Sequence, residues 1–329
     1  MRTKRWLGAL LAMLLLASIS LAACGDDDDS SSDGGGDTTA ADSGSSEAIV
    51  SNPDNAGTTI VVGSKNFTEQ KVLGEIFAQA LTAAGYTTDK QLNLGDEKTA
   101  LKALESGEID AYPEYTGTAL GSFFGVASNE IPTDPDQAFE DAKAGFAEKG
   151  LTALSPTPFT NSNEVAVTKK TADELGLTKI SDLEGQSEDL TLYGSPECRQ
   201  RQDCLLGLQE VYGLEFGKFT PVDVALRHDV LTNGQADLSI VFTTDPQIER
   251  EGFVLLEDDK GIFPPYNSTL VLRDETVEEA GPDLKTVVAQ VEEGLTAPVM
   301  QELNARVDLD KKTPEQVASE YLQESGLVE

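Results

Sequence analysis

No stretch of the chain says more about function than residues 107–118, Gly-Glu-Ile-Asp-Ala-Tyr-Pro-Glu-Tyr-Thr-Gly-Thr. A helix ends at Gly107, a short strand runs through Ile109 and Ala111, and two tyrosines and two threonines follow on a Pro-stiffened turn. Ring faces attract cations and apolar groups, and hydroxyls hydrogen-bond polar ones. In an open α/β sheet, ligands bind outside the carboxyl ends of strands, which is where this cluster falls. Residues 230–245 repeat the order in shorter form: helix end, Gly234, Asp237, an apolar strand, then Phe242-Thr243-Thr244. Two such half-units facing each other place Tyr115 and Phe242 on opposite walls of one cleft. A third aromatic turn, Gly261-Ile262-Phe263-Pro264-Pro265-Tyr266-Asn267, is rigidified by two prolines and presents Phe263 and Tyr266 on a surface loop.

The elements that must carry these groups alternate. A β-branched strand is expected over 58–62, then a loop over 63–68. A helix follows with apolar residues at Val72, Leu73, Ile76, Phe77, Ala80, Leu81 and Ala84, the spacing of one buried face. Asn66 and Glu69, three apart, read as its N-terminal cap. A strand over 91–94, a helix over 98–105 and a strand over 109–112 complete βαβ units and point to a parallel sheet. Residues 164–168 alternate like a strand. The segments near 160 and 266 are where the chain crosses into a second lobe and returns, and hinge motion there closes the cleft.

Composition excludes several functions. With 58 acidic against 24 basic residues the formal charge is −34, which rules against nucleic acid. The single histidine, His228, leaves no Ser-His or Cys-His pair to assemble, and Gly117 and Gly121 lack phosphate-loop or dinucleotide spacing. No enzyme, catalytic residue, cofactor or metal site is therefore expected. His228 reads as a surface or helix-end residue and Asp245, before Pro246, as a turn initiator. Tyr112 points away from Tyr115 and reads as packing. Glu114 and Glu164 read as solvated carboxylates, the default in so acidic a chain.

Arg2, Lys4 and Arg5 precede an apolar run over 7–23, too short for a confident membrane span, so residues 1–23 read as a secretory signal. Leu21-Ala22-Ala23-Cys24 resembles the lipobox of bacterial lipoproteins, with Cys24 carrying the lipid. Removing three positive charges with the signal takes the net charge from −34 to −37, so electrostatics give no second hold on anionic lipid. Residues 24–57 comprise that cysteine and an Asp/Ser/Gly/Thr-rich tether expected to stay a flexible leash. Cys198 and Cys204 are six apart, and an oxidising compartment favours pairing them over the rival metal site or catalytic thiol.

Ser-Lys-Asn-Phe-Thr-Glu-Gln at 64–70, Tyr-Pro-Glu-Tyr-Thr-Gly-Thr at 112–118 and Phe-Pro-Pro-Tyr at 263–266 together resemble the substrate-binding lipoproteins of ABC importers for osmoprotectants such as glycine betaine, choline and carnitine. The similarity runs from about residue 58 to the C-terminus. It implies an α/β, two-lobed type II periplasmic-binding-protein fold, each lobe a central sheet flanked by helices, with residues 58–161 plus 267–329 in lobe 1 and 162–266 in lobe 2. It also implies a monomer that captures a quaternary ammonium solute on the outer face of the cytoplasmic membrane and delivers it to a permease.

By position, the resemblance makes Tyr115 and Tyr266 walls of an aromatic box, and Lys65, Thr118 and Arg201 ligands of a carboxylate. An arginine fork suits a carboxylate. Two walls depart from the pattern: Asn163 and Phe242 stand where tyrosines are common. Phe242 keeps a ring face, whereas Asn163 replaces one with an amide. A more polar or less methylated solute, or a sensor without transport, is the alternative these departures allow.

Overall fold

The computed structural model describes residues 47–329. The signal over 1–23, Cys24 and most of the tether lie outside the described residues. Ten strands form two five-stranded sheets: β1 (Thr59–Gly63), β2 (Thr87–Gln91), β3 (Ala111–Tyr115), β4 (Leu151–Thr160), β5 (Asn163–Thr168), β6 (Thr191–Gly194), β7 (Lys218–Pro221), β8 (Leu238–Phe242), β9 (Phe253–Leu256) and β10 (Asn267–Arg273). The first sheet has the order β2-β1-β3-β10-β4 and the second β7-β6-β8-β5-β9.

The βαβ reading expects a parallel sheet, and both sheets are instead mixed. β1 runs parallel to β2 and β3, while β10 is antiparallel to both β3 and β4. In the second sheet β6 is parallel to β7 and β8, and β5 is antiparallel to β8 and β9. The reason is the crossing between sheets: β5 and β10 are the first strands of each sheet after a crossing, and both enter from the cleft side. The two crossing segments are tied together, Asn161 N–H donating to the Tyr266 carbonyl at 3.0 Å and Tyr266 N–H to the Thr160 hydroxyl at 2.9 Å.

Helix α1 (Thr68–Ala83) buries Val72, Leu73, Ile76, Phe77, Ala80 and Leu81, the face its periodicity predicts. Its start differs from expectation. The cap residue is Phe67, with no side-chain cap bond, and Glu69 is buried instead of closing a capping box. Helix α2 (Glu97–Glu105) is capped by Asp96, whose carboxylate accepts from Thr99 N–H at 2.8 Å. β2 lies four residues earlier than expected because it is a polar sheet edge, Thr-Thr-Asp-Lys-Gln, with no apolar alternation to betray it. β3 starts later and ends on Tyr115, so the strand itself delivers the tyrosine to the cleft.

The tether expectation fails at its C-terminal end. Ile49 N–H donates to the Leu327 carbonyl at 2.9 Å, and Asn55 is buried with its amide on the Ala84 carbonyl at 3.0 Å. Asn52 caps the 3-10 turn Pro53–Gly57 and reaches Asp283 at 2.7 Å. Polar side chains, each bonded to the folded body, order a segment whose composition alone reads as a leash.

Candidate functional site

β1 exits into Lys65 and Phe67, β3 into Tyr115 and Thr118, the crossing segments carry Asn163 and Tyr266, and the second sheet contributes Phe242 at the end of β8. Arg201 follows the 3-10 turn Pro196–Gln200, inside the loop that the Cys198–Cys204 disulfide closes with Cα atoms 5.1 Å apart. All seven residues singled out from the sequence line one cavity of about 80 Å³ between the sheets. The arrangement follows from topology: strand exits of both sheets point at the same gap.

Sequence reasoning missed Phe67 as a wall. Its ring stacks on Tyr115 at 6.2 Å between centroids and meets Phe242 at 5.4 Å, so it spans from first sheet to second. Its place inside the 64–70 motif was the available signal. Tyr115 is held by its hydroxyl, which donates to Glu69 at 2.6 Å. Glu69 also accepts from the amides of Asn161 at 2.6 Å and Asn304 at 2.9 Å. Burial pushes the Glu69 carboxyl above its usual value, against these bonds, and burial beside Glu69 pushes the Tyr115 phenol far up, so the tyrosine stays neutral.

Glu114 is not the solvated carboxylate that composition suggests. It is fully buried, paired with the Lys65 ammonium, and accepts from Tyr112 hydroxyl at 2.9 Å and Tyr115 N–H at 2.7 Å. Tyr112, completely buried, packs as expected. Lys65 Nζ sits 4.6 Å from the Tyr115 ring centroid. Glu164 is partly buried, and burial, with Asp258 nearby, raises its carboxyl to about 7.

Arg201 donates through Nε to Asp203 at 2.8 Å, a second nitrogen on the same carboxylate, and reaches across to Glu97 and Thr118, each at 3.5 Å. Tyr266 hydroxyl donates to Asp203, and Asn163 amide donates to the Asp203 carbonyl at 3.0 Å. Asp203 thus fixes the arginine and one aromatic wall together. Behind Phe242, the Arg227 guanidinium lies 4.4 Å from the ring centroid and its Nε donates to Asp245 at 2.8 Å. His228 is the helix-end residue expected, at the N-cap of Asp229–Thr232, but not a surface one: it is buried, 2.8 Å from the same carboxylate, which also accepts Phe242 N–H at 2.8 Å. Burial alone would raise Asp245, but Arg227 and His228 outweigh it and hold it at about 2. Asp245 is therefore the clamp behind a cleft wall, not only a turn residue.

The cavity lining also includes Asp96, Glu97 and Glu197, so carboxylates outnumber Lys65 and Arg201 and an entering cation is favoured. Among the described residues, no group of three or more His, Cys, Asp or Glu side chains is placed to hold a metal.

Residues 58–324 match the model of OpuAC, the substrate-binding domain of ABC-type glycine betaine transport systems. The chain belongs to this family. Members are extracytoplasmic substrate-binding proteins of ABC importers. The binding protein is 34% identical to the glycine-betaine-binding protein of Pseudomonas aeruginosa over 82% of this chain and 89% of that one. It is 30% identical to the carnitine transport binding protein OpuCC of Listeria monocytogenes over 82% and 88%. Among solved structures it resembles a glycine betaine/carnitine/choline ABC transporter protein with a TM-score of 0.65 at 28% identity, covering 80% of this chain and 98% of that one. The two-sheet architecture is that of the periplasmic-binding-protein fold.

Proposed function

We propose that this binding protein captures a quaternary ammonium solute of the glycine betaine, choline or carnitine type and hands it to an ABC permease, working as a monomer anchored on the outer face of the cytoplasmic membrane through lipid on Cys24. The observation that carries the solute class is the aromatic lining: Phe67, Tyr115, Phe242 and Tyr266 come from both sheets and the crossing between them and surround one acidic cavity. A cation over such ring faces gains on the order of 1–2 kcal/mol per good contact when desolvated. Lys65, Thr118 and Arg201 take the carboxylate of a solute such as glycine betaine; Glu114 orients Lys65 and Asp203 orients Arg201, and an ammonium or guanidinium retains further N–H donors. Because the walls belong to different lobes, the solute gains its full contact set only when they meet, and that differential affinity drives closure.

Isothermal titration of the purified protein with glycine betaine, choline and carnitine tests the reading. A saturable isotherm that Tyr115→Ala weakens at least tenfold supports it; no heat with any of the three in the wild type sinks it. A less methylated solute is a second reading, favoured by Asn161, a cavity-lining residue whose Oδ1 is buried without a partner and is matched only by an N–H or O–H donor. Dimethylglycine in the same titration separates the two: tighter binding than glycine betaine selects the second.

A further inference from the structure

A second cavity, of about 60 Å³, adjoins the first behind Phe242. The two share Asn163, Ser195, Arg201, Val224 and Phe242 as lining residues. Beyond those, the second is lined by Cys204, Arg227 and Ile240. The cavities differ in the charged side chains that line them, although Arg201 and Arg227 are each paired with a carboxylate behind the lining, Asp203 and Asp245. The first carries Asp96, Glu97 and Glu197 against its two basic residues, whereas the only charged residues lining the second are Arg201 and Arg227. Arg227 is buried, and three of its hydrogen bonds are made, to Asp245 through Nε and Nη2 and to the Val224 carbonyl through Nη1. A guanidinium has five N–H donors, so two remain for a ligand. Asn163, at the start of β5 and paired with Phe242 in β8, stands on the boundary between the compartments, and its short side chain leaves them adjacent.

We propose that this annex is a subsite for the acidic end of an elongated betaine: the trimethylammonium group sits among the rings of the first cavity and an aliphatic arm of three or more carbons carries a carboxylate past Asn163 to Arg227. The two unused N–H donors of Arg227 are the specificity element. A solute with its carboxylate one methylene from nitrogen fills only the first cavity, while the apolar side chains of Val224 and Ile240 suit the methylenes of a longer arm. The inference rests on the quaternary ammonium reading of the cleft.

The test is a homologous series titrated into the full folded protein: glycine betaine, β-alanine betaine, γ-butyrobetaine and δ-valerobetaine, with one to four methylenes. We expect affinity to peak at three or four methylenes, at least about tenfold above glycine betaine, since each such factor needs only 1.4 kcal/mol. Ile240→Phe, which fills the annex without lining the first cavity, is expected to return the optimum to glycine betaine while leaving glycine betaine affinity within about twofold. A wild-type series that falls steadily from glycine betaine overturns the proposal, as does Ile240→Phe lowering all four affinities equally. The wild-type series decides the matter even where the variant fails to fold, and absence of binding by every member refutes the underlying reading instead.

Discussion

Phe67 offers the sharpest test of what the aromatic lining does. Phe67→Leu keeps a large apolar side chain on a partly exposed residue and removes only the π face between Tyr115 and Phe242. A near volume-conserving swap of this kind costs less than about 1.5 kcal/mol of stability, so the fold survives. With ring centroids 5.4 and 6.2 Å from its neighbours, a cation seated among the three rings lies within the roughly 6 Å at which cation–π attraction acts, worth about 1–2 kcal/mol when desolvated. Losing one face therefore raises the dissociation constant of glycine betaine about 5–30-fold, at 1.4 kcal/mol per factor of ten. The control is 3,3-dimethylbutanoate, which replaces the charged nitrogen by carbon at nearly the same shape. Titration calorimetry of both ligands on both proteins forms a cycle. Phe67→Leu should weaken the cation selectively and leave the isostere, which lacks the positive charge, within about threefold. If both ligands weaken equally, Phe67 acts by burial alone, and if neither changes, it is not a wall of the site.

Two further outcomes follow from a buried carboxyl group and from the disulfide. Burial raises Glu292, in the helix Pro282–Glu293, to about 8, against hydrogen bonds from Ser155 at 2.6 Å and Leu270 N–H at 3.4 Å. Its folded value exceeds the unfolded one of 4.5, so its contribution is full below about pH 4.5 and is lost as pH rises towards 8, on the order of 5 kcal/mol at about 1.4 per unit. Urea midpoints of the wild type should fall relative to those of Glu292→Gln between pH 5 and 8; parallel curves refute the assignment. Replacing Cys198 and Cys204 together by serine should cost about 2 kcal/mol, the value for so short a loop, and should speed solute release because Arg201 lies within the loop; an unchanged off-rate would detach the disulfide from binding.

The fold was legible wherever burial is one-sided. The apolar stripe of α1 and the strand exits at Tyr115 and Phe242 declare themselves by period and by chemistry, and the quoted motifs hold four of the seven residues that line one cavity, Lys65, Tyr115, Thr118 and Tyr266. What stayed hidden depends on partners distant in sequence. Glu69 imitates a helix cap locally, yet its donors come from Asn161 and Asn304, the latter 235 residues away. Glu114, Asp203 and Asp245 look like any of 58 acidic residues until the fold supplies Lys65, Arg201, Tyr266, Arg227 and His228 around them. Phe67, a lone aromatic before a helix, fits neither strand nor helix period. The antiparallel strands could not be foreseen because direction is set by where the chain re-enters each sheet.

The backbone pairing of Ile49 with Leu327, and the hold of Gln290 on the Glu47 carbonyl at 3.1 Å, have a mechanical meaning. The chain joins the folded body beside the helices that flank the first sheet, on residues that close the same lobe at the C-terminus. A pull from the N-terminal side is therefore borne by that lobe and is not transmitted across the segments at 160–163 and 264–267. The second lobe hangs free of the load path, so a pull on the N-terminal side leaves its movement relative to the first lobe unopposed.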